Sequence, residues 1–193
     1  MLYRFLRSIL RPLVFLLYRP SLIGYENLQI QGKGIIICNH ISLLDPVVIG
    51  CIVPRPIHFM AKKELFKNRF FSWFLSHLGA FPVKRGTADI SAIKKALKFL
   101  ENGELFGIFP EGTRSKTGNM QDLEPGVAMI ALKSNAPVIP VFIHNHYRSF
   151  KKTFITIGAP IDLSSYIGQK LNNDVILEVT NHLSAALKTL KTV

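Results

Sequence analysis

Short apolar runs alternate with helical periodicities along most of the chain. Residues 34–38 (GIIIC), 57–61 (IHFMA), 80–83 (AFPV), 105–109 (LFGIF), 137–143 (PVIPVFI) and 153–158 (TFITIG) have strand length and are rich in β-branched and aromatic residues. Between them lie helical patterns. Residues 46–53 (PVVIGCIV) read as a short helix opened by Pro46 at a first-turn position, and 68–79 (NRFFSWFLSHLG) as an aromatic helix closed by Gly79. Residues 88–103 carry the clearest amphipathic pattern, which predicts Ile90, Ile93, Leu97 and Leu100 inward, Lys94, Lys95 and Lys98 outward, and Gly103 at the end. Residues 126–136 and 173–190 read as two further helices. Strands alternating with helices predict an α/β fold, a mostly parallel central sheet flanked by helices. No internal repeat, low-complexity tract or interdomain linker interrupts it, and the longest polar break is SKTGNMQDLEP.

The first twenty residues, MLYRFLRSILRPLVFLLYRP, stand apart. Their longest uncharged run, Pro12 to Tyr18, is far short of the ~18–20 residues that a spanning helix needs. They lack the long apolar core and small-residue cleavage site of a signal peptide. On a helical wheel Arg4, Arg7 and Arg11 form one narrow stripe, and Leu2, Phe5, Leu6, Ile9, Leu10 and Leu13 cover most of the rest. A basic, aromatic helix without acids fits a membrane interface, its arginines at the headgroups. The competing reading is an amphipathic helix packed on the domain's own core. The expected organisation is a membrane-associating segment over residues 1–20 and a single domain over 21–193.

Charge and composition sharpen this picture. Of 193 residues, 24 are Lys or Arg and 12 are Asp or Glu, a net charge of +12. Such a chain attracts polyanions: nucleic acid, anionic lipid or phosphorylated small molecules. A hydrophobic share of 48% with a mean hydropathy of +0.25 leans toward the lipid alternatives. Two cysteines, Cys38 and Cys51, make neither a disulfide framework nor a metal spacing and fit a reducing compartment. The scattered histidines have no metal-ligand spacing either, and no metal is expected.

In α/β sheets ligands sit beyond the carboxyl ends of the strands, and three polar turns fall there. NHISLLD follows the strand at 34–38, KRG follows 80–83, and PEGTRS follows 105–109. His40 and Asp45 are five residues apart, about 140° around a helix, so they cooperate only if the chain bends between them. Pro46 disfavours α geometry at Asp45 and supports a tight turn through Ile41 to Leu44. An Asp bonded to one ring nitrogen fixes the tautomer and raises the basicity of the other, which makes a general base. Gly86 and Gly112 permit close backbone approach, and Lys84, Arg85 and Arg114 supply donors for a phosphate. Taken singly, each feature has a simpler reading: a helix cap, or a turn carrying solvated charges. Their joint placement at strand ends favours a site that holds a phosphate and deprotonates a group nearby. Cys38 reads as a small buried hydrophobe rather than an acyl-bearing nucleophile.

Four ordered segments, NHISLLDP, GAFPVKRG, FPEGTRSKTG and APVIPVFI, resemble the blocks of the glycerolipid acyltransferases, in particular the 1-acyl-sn-glycerol-3-phosphate (lysophosphatidate) acyltransferases. The resemblance covers roughly Gly24 to Gly158. It implies that His40 is the catalytic base and Asp45 its orienting partner. It also implies that Lys84, Arg85, Glu111, Gly112, Thr113 and Arg114 bind the acceptor's glycerol phosphate, and that Pro140 shapes the acyl-donor site. The implied reaction carries an acyl group from acyl-CoA or acyl-carrier protein, as co-substrate, to the sn-2 hydroxyl of a lysophospholipid. No cofactor is implied. The enzyme would work as a peripheral or monotopic protein at the cytoplasmic face of a membrane with anionic lipids. Glu124 departs from the pattern, since many relatives carry a lysine before the Pro-Gly of LEPG.

Two other readings stay open: an acyltransferase for another lysolipid, such as lysophosphatidylcholine or a lyso-ornithine lipid, and a nonenzymatic binder of anionic lipid. A nucleic-acid partner is not expected, because the chain carries no recognised basic-aromatic module.

Overall fold

The structure is a computed structural model and describes residues 2–84, 86, 89–115 and 120–192. Seven strands form one sheet: β1 (Pro20–Ile23), β2 (Gly34–Cys38), β3 (Ile57–Lys62), β4 (Ala80–Val83), β5 (Leu105–Ile108), β6 (Val138–Ile143) and β7 (Thr153–Ile157). Their order is β1-β7-β6-β2-β5-β3-β4, and every pair is parallel except β6 with β7. The helices are α1 (Leu2–Tyr18), α2 (Asp45–Ile52), α3 (Arg69–His77), α4 (Ile90–Glu101), α5 (Gly126–Ser134) and α6 (Asn173–Leu190).

Central β2 shows why the sheet is a three-layer sandwich. All five residues of GIIIC are buried, as a strand covered on both faces requires. Successive side chains point to opposite faces. Ile36 and Cys38 join a core with Val14 of α1 and with Val48, Ile49 and Ile52 of α2. Ile35 and Ile37 join a second core built on α4, α5 and α6. Burying each such isoleucine fully contributes roughly 1.5–3 kcal/mol. Gly107 of β5 sits beneath this packing for a steric reason: a Cβ there would lie 2.3 Å from a ring carbon of Phe59.

The pattern-based expectations match this architecture with two differences. Strand β1 was not expected, because PSLI is short, begins with proline and is only partly buried. It forms at the sheet edge through parallel pairing with β7. Ile90 was expected inward but is 65% exposed. The buried face of α4 centres on Ala92, Ala96 and Leu100, whose small members let the helix sit close to the sheet. Ile90 lies roughly 120° around the helix from that centre.

Candidate active site

The chain leaves β2 through Asn39 and His40, and the side chain of Asn39 pins this exit. Its amide accepts from the Ile143 N–H (2.8 Å) and donates to the Ile143 carbonyl (3.0 Å), clipping the end of β2 to the end of β6. The bend between His40 and Asp45 follows. The Ser42 hydroxyl accepts from the Leu44 N–H, and α2 then begins at Asp45 itself, one residue earlier than expected, with Pro46 in its first turn.

This turn brings the two side chains together. His40 Nδ1 lies 2.7 Å from Asp45 Oδ2, with His40 7% exposed and Asp45 fully buried. The same oxygen accepts from the backbone N–H groups of Ile41 (2.7 Å) and Ser42 (2.8 Å), while Oδ1 accepts from the Tyr147 hydroxyl (2.8 Å). A carboxylate so surrounded acts as acceptor, so Nδ1 carries the ring proton and Nε2 keeps its lone pair. The His40 ring also stacks on Phe109, with centroids 4.3 Å apart. Position and tautomer are both held before any substrate arrives.

Tyr147 is a site residue that sequence reasoning missed. It lies 102 residues from Asp45 along the chain, in a segment legible only as basic. Burial, followed by the neighbouring charge of Asp45, pushes its phenol far above the usual range, so it stays protonated and serves as a donor. Its ring meets that of Tyr18, the last residue of α1, at 5.3 Å.

The third polar turn is sewn directly onto the first. Glu111 Oε1 accepts from the His40 N–H (2.8 Å), its Oε2 accepts from the Gln121 N–H (2.8 Å), and the Ser115 N–H donates to the His40 carbonyl (2.8 Å). Burial raises the Glu111 carboxyl above its ordinary value against the pull of these donors. Both of its oxygens thus hold backbone, and Glu111 shapes the turn around His40. Gly112 has φ +68°, and a Cβ there would sit 3.3 Å from Glu124 Cγ, which places Glu124 against the same turn. The Thr113 hydroxyl donates to the Gln121 side chain (3.2 Å). Arg114 is exposed, and no described residue bonds its guanidinium.

The second turn lies farther off. Exposed Lys84 follows the edge strand β4, which β5 and β3 separate from β2. Three interstrand spacings make ~14 Å. The Lys84 N–H donates to Asp89 Oδ2 (2.9 Å), which closes the loop; Arg85 lies outside the described residues. Pro140 is buried in β6 opposite Ile37, packed near Gly158. Its neighbours Ile139 and Val141 face the α1–α2 core, so strand alternation turns Pro140 to the other side of the sheet.

His40 stands at the wall of an apolar cavity of about 370 Å³. Tyr3 and Leu10 of α1, Val47 and Gly50 of α2, and Phe74 and Leu75 of α3 contribute to its lining. The α1 side of this cavity corrects the expected arginine stripe. Arg7 does not reach outward but donates to the carbonyls of Gly50 (3.0 Å) and Val53 (2.5 Å) at the end of α2. There a guanidinium satisfies orphan carbonyls and complements the negative helix terminus. Val14 of α1 is buried as well, while Phe5, Ile9, Leu13 and Leu16 form an exposed apolar strip. One face of α1 thus packs on the domain, and the other is exposed and apolar. No described helix is long and apolar enough to cross a membrane. Beside the dyad, burial pushes the Cys38 thiol well up, with the charges of Asp45 and Glu111 adding to it.

A buried imidazole hydrogen-bonded to a buried carboxylate, at the carboxyl edge of a mostly parallel sheet and at the wall of an apolar cavity, is the geometry of a candidate general-base site. The family model described as Acyltransferase matches residues 19–144; the chain belongs to that family and is an acyltransferase enzyme. It is 38% identical over 140 residues to a 1-acyl-sn-glycerol-3-phosphate acyltransferase of Bacillus subtilis, covering 72% of this chain and 69% of that one. A Streptococcus pneumoniae protein of the same name is 32% identical over 163 residues, covering 81% of this chain and 60% of its own length. Among solved structures, the 1-acyl-sn-glycerophosphate acyltransferase of Thermotoga maritima superposes with a TM-score of 0.73 at 27% identity, covering 99% of this chain and 82% of that one.

Proposed function

We propose that the chain transfers an acyl group from a thioester, acyl-CoA or acyl-carrier protein, to the sn-2 hydroxyl of 1-acyl-sn-glycerol-3-phosphate, giving phosphatidate for phospholipid synthesis. The observation that carries this reading is the His40–Asp45 pair at the wall of an apolar cavity, with Nδ1 committed to the carboxylate and Nε2 left as base. The names of the relatives support the choice of acceptor.

In this mechanism His40 Nε2 takes the proton of the sn-2 hydroxyl as its oxygen attacks the thioester carbonyl carbon. The tetrahedral oxyanion collapses, the carbon–sulfur bond breaks, and the imidazolium returns the proton to the departing thiolate. The ester is formed without an acyl-enzyme, and the chemistry calls for no metal or redox cofactor. In this reading Arg114 pairs with the acceptor's phosphate, which its exposed, charge-bearing fork supports, and Lys84, exposed after the edge strand, is a further cation; the resemblance adds Arg85 to the set. Gly112 and Thr113 hold the Arg114 turn. Glu111 acts by fixing the His40 backbone rather than by touching phosphate. The cavity takes an acyl chain. The exposed strip of α1, with Arg4 and Arg11 beside it, holds the enzyme peripherally on an anionic leaflet at the cytoplasmic face, where thioester donors are available.

Incubation of the protein with labelled acyl-CoA and a panel of lysophosphatidate, lysophosphatidylcholine and lyso-ornithine lipid, resolved by thin-layer chromatography, tests this directly. The expected label appears in phosphatidate. Label confined to another product would reassign the acceptor, and no label with lipid binding retained would leave a nonenzymatic binder.

A further inference from the structure

Helix α3 carries five aromatic or leucine side chains in nine residues, yet none of its residues is buried. Phe70, Phe71 and Trp73 are 67%, 56% and 53% exposed, and Leu65, in the turn before the helix, is 52% exposed. This exposure is structured. Asn68 caps the helix by accepting from the N–H groups of Phe70 and Phe71, and the rings of Phe70 and Trp73 contact one another. A contiguous aromatic patch held in water by a capped helix marks an interaction surface.

We infer that α3 is a second lipid-contact element, whose aromatic face enters the headgroup region of an anionic leaflet. Two observations select lipid as the occupant. The patch is bordered by exposed Lys62, Lys63, Lys67 and Arg69 against a single acid, Glu64, which pairs with Lys62 at 3.9 Å. Aromatic rings ringed by cations match an interface between hydrocarbon and anionic headgroups. The patch is also continuous with the catalytic cavity. One turn along α3, Phe74, whose ring stacks on that of Phe70 (centroids 6.5 Å apart), and Leu75 reach the cavity wall, and α1, with its own exposed strip, supplies Tyr3 and Leu10 to the same wall. The cavity therefore lies between two helices that are apolar outside as well as inside. With both on the leaflet, a lipid chain passes from bilayer to His40 without crossing water. The inference rests on the reading that the acceptor arrives from a membrane, and adds the element that seats the cavity mouth there.

Trp73 is the sole tryptophan of the chain, so it reports on α3 alone. The full-length protein is titrated with phosphatidylcholine–phosphatidylglycerol vesicles at one fixed pH, because the His77 ring lies 4.5 Å from that of Trp73. Emission should shift to the blue as the protein co-sediments, and brominated acyl chains should quench it. The double variant Phe70→Ser/Phe71→Ser keeps the reporter and should lower the partition coefficient about tenfold or more. Its unfolding temperature should stay unchanged, and its turnover of a dispersed short-chain acceptor should fall far less than its partitioning, since neither ring lines the cavity and only Phe70 touches a residue that does, Phe74. Co-sedimentation with unshifted, unquenched emission would overturn the inference while leaving α1 as the anchor. A blue shift that grows with protein concentration in the absence of vesicles would assign the patch to a second copy of the chain and overturn it too. Failure to co-sediment at all would remove the membrane reading itself.

Discussion

The Tyr147 hydroxyl donates to Asp45 Oδ1 at 2.8 Å and so completes a carboxylate whose other oxygen already serves His40, Ile41 and Ser42. It is the one donor of the set that comes from outside the turn, and it ties the dyad to the β6–β7 connection. Removing it leaves a buried acceptor unpaired on the carboxylate that holds His40. A hydrogen bond to a charged group contributes about 1.5–3 kcal/mol. Tyr147→Phe should therefore lower kcat about tenfold or more with little change in acceptor KM, because the ring and the cavity remain. Steady-state kinetics on the folded variant decide it; an unchanged kcat would make Tyr147 a packing residue only.

Arg7 should behave unlike Arg4, although both look alike on a helical wheel. The Arg7 guanidinium bonds the carbonyls that end α2, whereas Arg4 is exposed. Arg7→Ala should cost about 1.5–3 kcal/mol in urea unfolding, and Arg4→Ala less than about 0.5 kcal/mol. Equal effects would mean that α1 is not seated through this contact. The same contact predicts that removal of all of α1 damages the fold, so membrane binding is better probed at Phe5, Ile9, Leu13 and Leu16.

Arg114 is exposed, and its turn is stitched to His40 through Ser115 and Glu111. Arg114→Ala should raise acceptor KM by the equivalent of about 1.5–3 kcal/mol while donor KM changes little. Arg114→Lys should restore only part, because an ammonium lacks the planar fork. A variant that weakens only the donor would reverse the two substrate assignments.

Asp89 caps α4 and closes the loop after β4. The Ser91 hydroxyl first, then the N–H groups of Lys84 and Ala92, hold its carboxyl at about 2, below the ordinary 3.8. A depressed carboxyl stabilises the fold above its unfolded value, and that contribution is lost as pH falls toward 2. For a solvent-accessible cap, Asp89→Ala should cost about 0.5–1 kcal/mol near neutral pH. The gap to the parent protein should narrow as the pH drops from about 4 toward 2. A gap independent of pH would show that the carboxylate charge contributes nothing to the cap.

How much of this was legible in the sequence depended on range. Local patterns carried the strands, the helices and the His40–Asp45 bend, because apolar periodicity and Pro46 act over a few residues. Contacts that close at long range left no such trace. Tyr147 approaches Asp45 only because β6 lies beside β2, and Asn39 reaches Ile143 for the same reason. The resemblance sets Glu111 among the phosphate ligands, and no local pattern in PEGTRS shows that its two oxygens accept from the backbone of His40 and Gln121. Arg7 was read as part of an outward stripe because periodicity shows which residues share a helix face, not which neighbour that face meets.

The proposed transfer depends on His40 as base. The most direct measurement is single-substitution kinetics: transfer of labelled acyl groups from acyl-CoA to lysophosphatidate by His40→Ala, with folding verified by its thermal transition. Loss of a general base should lower turnover by about 10²–10⁴-fold while lipid binding persists, and Asp45→Asn should lose much of the rate as well, since its amide places N–H groups against donors. A well-folded His40→Ala protein that turns over lysophosphatidate at close to the parent rate would contradict the account.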